Sequence, residues 1–318
     1  MGEEEAVNTE KKLAECLDAN DLVLMEAAVI ESLRRGGVEL HPSLENALLV
    51  TEPGGRAALK KLYKGFVDLA VGHNLPILLA TPTWRANPER LAGEGLSVDF
   101  NAEAAGFLLK LREEYGQRAD KVLIGGLMGC KNDSYRPEEG LDQKEAFLFH
   151  EPQARALAGS GVDYLMAATL PCLNEALGMA QALSRTGLEY IISFVINSQG
   201  RILDGTSLDE AFATIDRKTG PQKPLGFMIN CAHPSFLKPK EMMPKNLARL
   251  MGYQANASSL DHDQLDNAKS LESDDLKAWV RGMLDLNMEH GINILGGCCG
   301  TTSDHLKELI LQYKKTTT

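Results

Sequence analysis

The stretch Gly161-Val162-Asp163-Tyr164-Leu165-Met166-Ala167-Ala168 leads through a helical pattern at 174–186 to Tyr190-Ile191-Ile192-Ser193-Phe194-Val195-Ile196. Two short, almost wholly apolar runs thus flank one amphipathic segment. A run without polar alternation reads as a strand buried on both faces, although a short apolar run alone is also compatible with a piece of buried helix. Two such strands joined by a helix form the crossover unit of a parallel sheet. Outward from this unit the pattern repeats. Apolar runs stand at 22–25, 76–81, 121–128, 164–168, 190–196, 225–229, 250–253 and 292–295. Helical patterns stand at 55–71, 102–115, 144–158, 174–186, 208–216, 241–250, 274–290 and 303–313. Eight strand–helix pairs in 318 residues match a (β/α)8 TIM barrel of the α/β class. A doubly wound open sheet is the structural rival.

Composition narrows the function. Hydrophobic residues make up 44% and charged residues 24%, an ordinary globular mix. No run approaches the ~20 apolar residues of a membrane helix, and the acidic start Met1-Gly2-Glu3-Glu4-Glu5 is not expected to act as a signal or transit peptide. The expected location is cytoplasmic. Acidic residues outnumber basic ones 44 to 33, for a net charge of −11. That argues against a nucleic-acid partner, which needs a basic face, and mildly favours cationic substrates. No linker rich in Pro, Gly or Ser divides the chain, so residues 1–318 are expected to form one domain with frayed polar termini near 1–10 and 314–318. The six cysteines are Cys16, Cys130, Cys172, Cys231, Cys298 and Cys299. They are expected to be thiols or metal ligands rather than disulfides.

A barrel performs chemistry at the C-terminal ends of its strands. Two of those ends carry cysteines: Asn230-Cys231 after the sixth run, and Cys298-Cys299 within Gly296-Gly297-Cys298-Cys299-Gly300 after the eighth. Neighbouring strand residues point to opposite faces, so these thiols converge only if the chain turns, and the flanking glycines allow that. The two strands are second neighbours, about 10 Å apart. Three thiolates and an open fourth position describe a catalytic zinc site. The competing reading is packing, since free cysteine often serves as a small buried hydrophobe. His233 is an alternative fourth ligand, with an exposed polar role expected. Zinc deprotonates a coordinated thiol, whereas a free thiol near pKa 8.5 is only a few per cent ionised at neutral pH. An anionic zinc–thiolate centre suits attack on a cationic carbon, so alkyl transfer to sulfur follows.

These residues resemble the zinc-dependent homocysteine S-methyltransferase family. Gly296-Gly297-Cys298-Cys299-Gly300-Thr301-Thr302 is similar to its terminal signature, and Ile229-Asn230-Cys231 to its Asn-Cys element. Weaker likeness runs through Gly161–Leu165, Ile192–Phe194, Asp204–Leu208 and the turn Thr81-Pro82-Thr83-Trp84. The resemblance implies a barrel fold, one Zn2+ held by Cys231, Cys298 and Cys299, and methyl transfer from an onium donor to homocysteine. The expected donor is S-methylmethionine, S-adenosylmethionine or a betaine, because the chain has no stretch for a cobalamin or folate module. The alternatives are another thiol acceptor or donor, or a zinc- and thiol-binding barrel without turnover. No partner beyond these small molecules is expected, and the sequence does not set the oligomeric state.

Two positions depart from the family. Glu26-Ala27-Ala28 replaces Asp-Gly-Gly or Asp-Gly-Ala after the first strand, so Glu26 keeps the charge that meets the acceptor's amino group. Ala168 replaces a glutamate that serves the same amino group. The expected substrate contacts are Glu26, Thr81, Trp84, Arg85, Asn230, Tyr253 and Asn256. Trp84 offers a face to an onium methyl or serves as an apolar lid. Arg85 meets a substrate carboxylate or pairs with Glu89 at the surface. Cys130 and Cys172 are expected to pack, and Cys16 to be a half-buried or exposed helix residue. His150, His262, His290 and His305 show no partner carboxylate in the sequence.

Overall fold

All eight apolar runs become strands. The computed structural model describes residues 12–261 and 274–317, so His262 and residues 1–10 lie outside the described residues. The strands are β1 (Val23–Met25), β2 (Ile77–Ala80), β3 (Val122–Met128), β4 (Tyr164–Leu170), β5 (Tyr190–Phe194), β6 (Gly226–Ala232), β7 (Leu250–Ala255) and β8 (Ile294–Gly297). Each pairs in parallel with the next, and β8 closes on β1. The result is a (β/α)8 barrel, and the open-sheet alternative is excluded.

Strand alternation sorts the apolar residues into two layers. Leu24, Ile77, Leu79, Ile124, Leu165, Ile192, Phe227, Ile229 and Tyr253 face outward into the core shared with the helices. Val23, Met25, Leu78, Leu123, Tyr164, Met166, Ile191, Met228 and Ile294 fill the interior together with Leu13, which comes from helix Lys12–Asp18 rather than from a strand. Glu189 accepts from the Leu13 and Ala14 amides at 2.9 and 3.2 Å. Asp163 accepts from Ile124 N at 2.7 Å and pairs with Arg112 and Lys12. These contacts fasten the helix beneath the strands.

Three corrections concern the elements. Helices Val29–Arg35 and Pro88–Gly93 are additional to the eight expected. The helix expected over 241–250 is only Pro244–Leu247 after a 3-10 turn at Pro239–Glu241. Pro239 and Pro244 start these turns, and a proline has no amide to continue a helix through them. The last described helix is Ser303–Thr317. No described helix is long and apolar enough to cross a membrane.

Candidate active site

The C-terminal mouth of the barrel is shaped by two irregularities. Cys231 has the same strand parity as the outward Phe227 and Ile229, so regular pleating would aim it at the helices. Instead its φ is +52°, and the β6–β7 register shifts between Asn230 and Ala232. A bulge of this kind re-aims a side chain. Thr169 makes a similar excursion at φ +60°, where the β4–β5 register shifts between Ala167 and Leu170. Asn230 bolts the two together. Its Oδ1 accepts from Thr169 N at 2.9 Å and from Ser193 Oγ at 2.7 Å, and its Nδ2 donates to Thr169 Oγ1 at 2.6 Å. Asn230 is buried and stands next to the sulfur; its Nδ2 is 3.5 Å from Cys231 Sγ.

The loop after β8 is equally fixed. Cys298 N donates to Ala255 O at 2.7 Å, and Ala257 N donates to Cys299 O at 2.9 Å. Thr301 Oγ1 donates to Cys298 O at 2.6 Å. Gly300 adopts φ +82°, where a Cβ would stand 2.8 Å from Ala257 Cβ. Glycine is therefore required on both conformational and steric grounds. Its amide donates to Glu31 Oε2 at 2.5 Å.

The two loops bring Cys231, Cys298 and Cys299 together, with sulfurs all within 4.8 Å of one another. Cys231 is buried, Cys298 half-buried and Cys299 exposed. Among the described residues no other trio of Cys, His, Asp or Glu converges in this way. Tetrahedral coordination at Zn–S distances of about 2.3 Å places sulfurs about 3.8 Å apart, so the donor set fits a soft divalent cation. His233 is not part of the trio. It is half-buried, with Nε2 3.3 Å from Asp274 Oδ2 and Nδ1 2.8 Å from Ser235 Oγ. The Cys231 and Cys298 sulfurs touch, with their Cα atoms 5.4 Å apart across 67 residues of chain, a separation that a disulfide spans. The other four cysteines are free. Cys130 and Cys172 are buried, and burial raises both thiols, Cys172 to about 12. Cys16 is half-buried.

The remaining candidate residues divide. Glu26 is buried, and both its oxygens lie 3.1 Å from Ala80 N. Burial pushes its carboxyl up to about 8, with the hydrogen bond from Ala80 acting against the shift. Asn256 is buried, and its Oδ1 has no partner among the described residues. Ala168 belongs to the interior layer, so β4 carries no carboxylate there.

Thr81 and Tyr253 are placed differently from expectation. Thr81 is completely buried, and its hydroxyl accepts from Leu127 N at 2.9 Å and meets Thr83 Oγ1 at 2.7 Å. It cross-links β2 to β3 and exposes nothing to a ligand. Tyr253 faces the outer core, and its hydroxyl donates to His233 O at 2.8 Å. Its neighbour Gln254 has the inward parity and donates to Glu26 O at 3.3 Å. Arg85 stacks 4.1 Å over the Trp84 ring and donates to Asn132 O at 2.5 Å, while Glu89 pairs with Lys131. One face of Trp84 is therefore occupied by a cation already.

Sequence reasoning missed Gln254, Glu31 and the His150–Glu175 pair. His150 Nε2 lies 2.9 Å from Glu175 Oε1, both side chains being buried, and Glu175 also accepts from Lys131 N at 2.7 Å. Strand parity signals Gln254. Glu31 and Glu175 have no local signal, because their partners come from distant elements.

A closed parallel barrel with function-bearing groups at its C-terminal mouth defines the class of (β/α)8 enzymes. Residues 23–311 match the family model described as homocysteine S-methyltransferase. The chain belongs to that family, whose members are methyltransferases. Homocysteine S-methyltransferase YbgG of Bacillus subtilis (strain 168) is 26% identical, the alignment covering 92% of this chain and 95% of the relative. Homocysteine S-methyltransferase of Escherichia coli (strain K12) is 24% identical over 90% of this chain and 93% of its own. The metallated crystal form of the homocysteine methyltransferase MmuM from Escherichia coli shares the fold, with a TM-score of 0.74 at 21% identity. That match covers 95% of this chain and 99% of that one.

Proposed function

We propose that this chain transfers a methyl group from an onium donor to a small thiol, homocysteine being the acceptor expected for the family, with Zn2+ held by Cys231, Cys298 and Cys299. The convergence of three sulfurs from two separate strand ends carries this reading. The family membership supports it, as does the solved metallated form of MmuM. Bound there, zinc supplies an ionised acceptor thiol at neutral pH, where the free thiol is only a few per cent ionised.

The chain's own residues do the positioning. The two mouth loops hold the cysteines, Asn230 fixes the bulge behind Cys231, and Glu26 faces the acceptor's amino group from the gap between β1 and β2. The acceptor sulfur attacks the donor methyl in line. A carbon–sulfur bond forms while the donor's bond to S+ or N+ breaks. The electron pair leaves with a neutral sulfide or tertiary amine, so no general acid is needed, and the thiol proton passes to solvent. Alignment of the two reactants supplies much of the acceleration. The donor does not stack on the Trp84 face that Arg85 covers.

The test is incubation of reduced, zinc-loaded protein with homocysteine and, in turn, S-methylmethionine, S-adenosylmethionine and glycine betaine, read as loss of free thiol. The expected result is consumption with one donor by the wild type and none by C298S. Zinc binding without consumption for every donor would contradict turnover and leave a zinc- and thiol-binding barrel.

A further inference from the structure

Deep in the barrel a polar atom lacks a partner. Tyr164 projects from the start of β4 into the interior layer and is completely buried. Its hydroxyl has no hydrogen-bond partner among the described residues. An unpaired hydroxyl in such a place is costly, which marks the position as one that something else completes. The phenol lies across the inner face of β3. A Cβ on Gly125 would stand 2.6 Å from the hydroxyl oxygen, so only glycine leaves room for it. Gly125 pairs with Ala80 in the β2–β3 register, and Ala80 N is the donor to both Glu26 oxygens. One strand spacing, about 4.8 Å, therefore separates the backbone beneath the hydroxyl from the backbone holding the carboxyl. The two groups sense each other, since after desolvation the Glu26 charge is the next influence that raises the Tyr164 phenol. The apolar cluster around them carries no other hydroxyl or carboxyl, and no lysine or arginine is buried among the described residues. A ligand reaching down from the cysteines thus finds the Glu26 carboxyl and the Tyr164 hydroxyl, and no buried cation.

We propose that Tyr164 is a specificity-determining residue of the acceptor pocket, its hydroxyl oxygen accepting a hydrogen bond from the ammonium group of an aminothiol beside Glu26. This rests on the acceptor reading above and adds one residue to it: the Tyr164 hydroxyl senses whether the bound thiol carries the amine. The interior's lack of a cation fits the same choice. A carboxylate on the acceptor finds no counter-charge at that depth, whereas an ammonium finds Glu26.

The experiment is calorimetric titration of reduced, zinc-loaded wild type and Y164F with homocysteine and with 4-mercaptobutyrate, which keeps the thiol and carboxylate but lacks the amine. Wild type is expected to bind homocysteine more tightly. Y164F is expected to lose about tenfold of that affinity, in line with one hydrogen bond to a charged group, and to bind 4-mercaptobutyrate as wild type does. Zinc content should be unchanged, and the thermal midpoint unchanged or higher, because an unpaired buried hydroxyl has been removed. Equal homocysteine affinity in wild type and Y164F would overturn the proposal alone and leave the hydroxyl to an internal water. A wild type without preference for the amine would overturn it as well. A wild type that binds neither thiol would overturn the acceptor reading, and this proposal with it.

Discussion

Glu26 is the side chain whose protonation the fold alters in the direction that matters most for the site. Burial lifts its carboxyl from the ordinary glutamate range to about 8. Between pH ~4.3 and about 8 the folded chain holds a proton that the unfolded chain has released. Stability from this group is therefore complete below the lower value and declines as pH rises through the window. Comparison of thermal midpoints for wild type and E26Q from pH 5 to 9 checks this. Wild type should lose ground to E26Q as pH rises, and parallel curves would contradict it. At neutral pH the free carboxyl is mostly protonated, and an acceptor's ammonium would favour the ionised form. At this scale the sequence was legible where chemistry is local and failed where orientation decides. The cysteines and Glu26 announce themselves. Strand parity turns Gln254 rather than Tyr253 inward, and the Thr81 hydroxyl is consumed within the sheet.

At the scale of elements, the two bulged strands make the site, and Asn230 makes the bulges. Its amide joins β4, β5 and β6 through Thr169 and Ser193. Asn230→Ala leaves Thr169 N and Ser193 Oγ buried without those partners. The expected loss is about 2–4 kcal/mol in urea denaturation, together with reduced zinc retention as Cys231 loses its fixed backbone. A loss below about 1 kcal/mol with full zinc retention would contradict this role. The bulges could not be read from the sequence, because a left-handed Thr169 or Cys231 is imposed by tertiary partners. Helices Val29–Arg35 and Pro88–Gly93 were also missed. Each spans about two turns or fewer, too short to display a period. One of them still matters to the site, since Glu31 on the first holds the Gly300 amide beside Cys299.

For the molecule as a whole, alternation of apolar runs with helical patterns was enough to give the closed barrel, because each crossover must return the chain in parallel. What the pattern could not show is how the far end is sealed. Leu13, outside any strand, enters the interior layer from below. Leu13→Ala is expected to cost about 2–5 kcal/mol in a denaturation curve, and a change under about 0.5 kcal/mol would show that the strands alone seal the barrel. The floor and the mouth play separate parts, so this variant should keep its zinc.

The central claim is that one cation is shared by Cys231, Cys298 and Cys299. Zinc-edge X-ray absorption on the reduced, zinc-loaded protein tests it most directly. The account predicts three sulfur scatterers at about 2.3 Å and one lighter neighbour. A first shell with two or fewer sulfurs would contradict it.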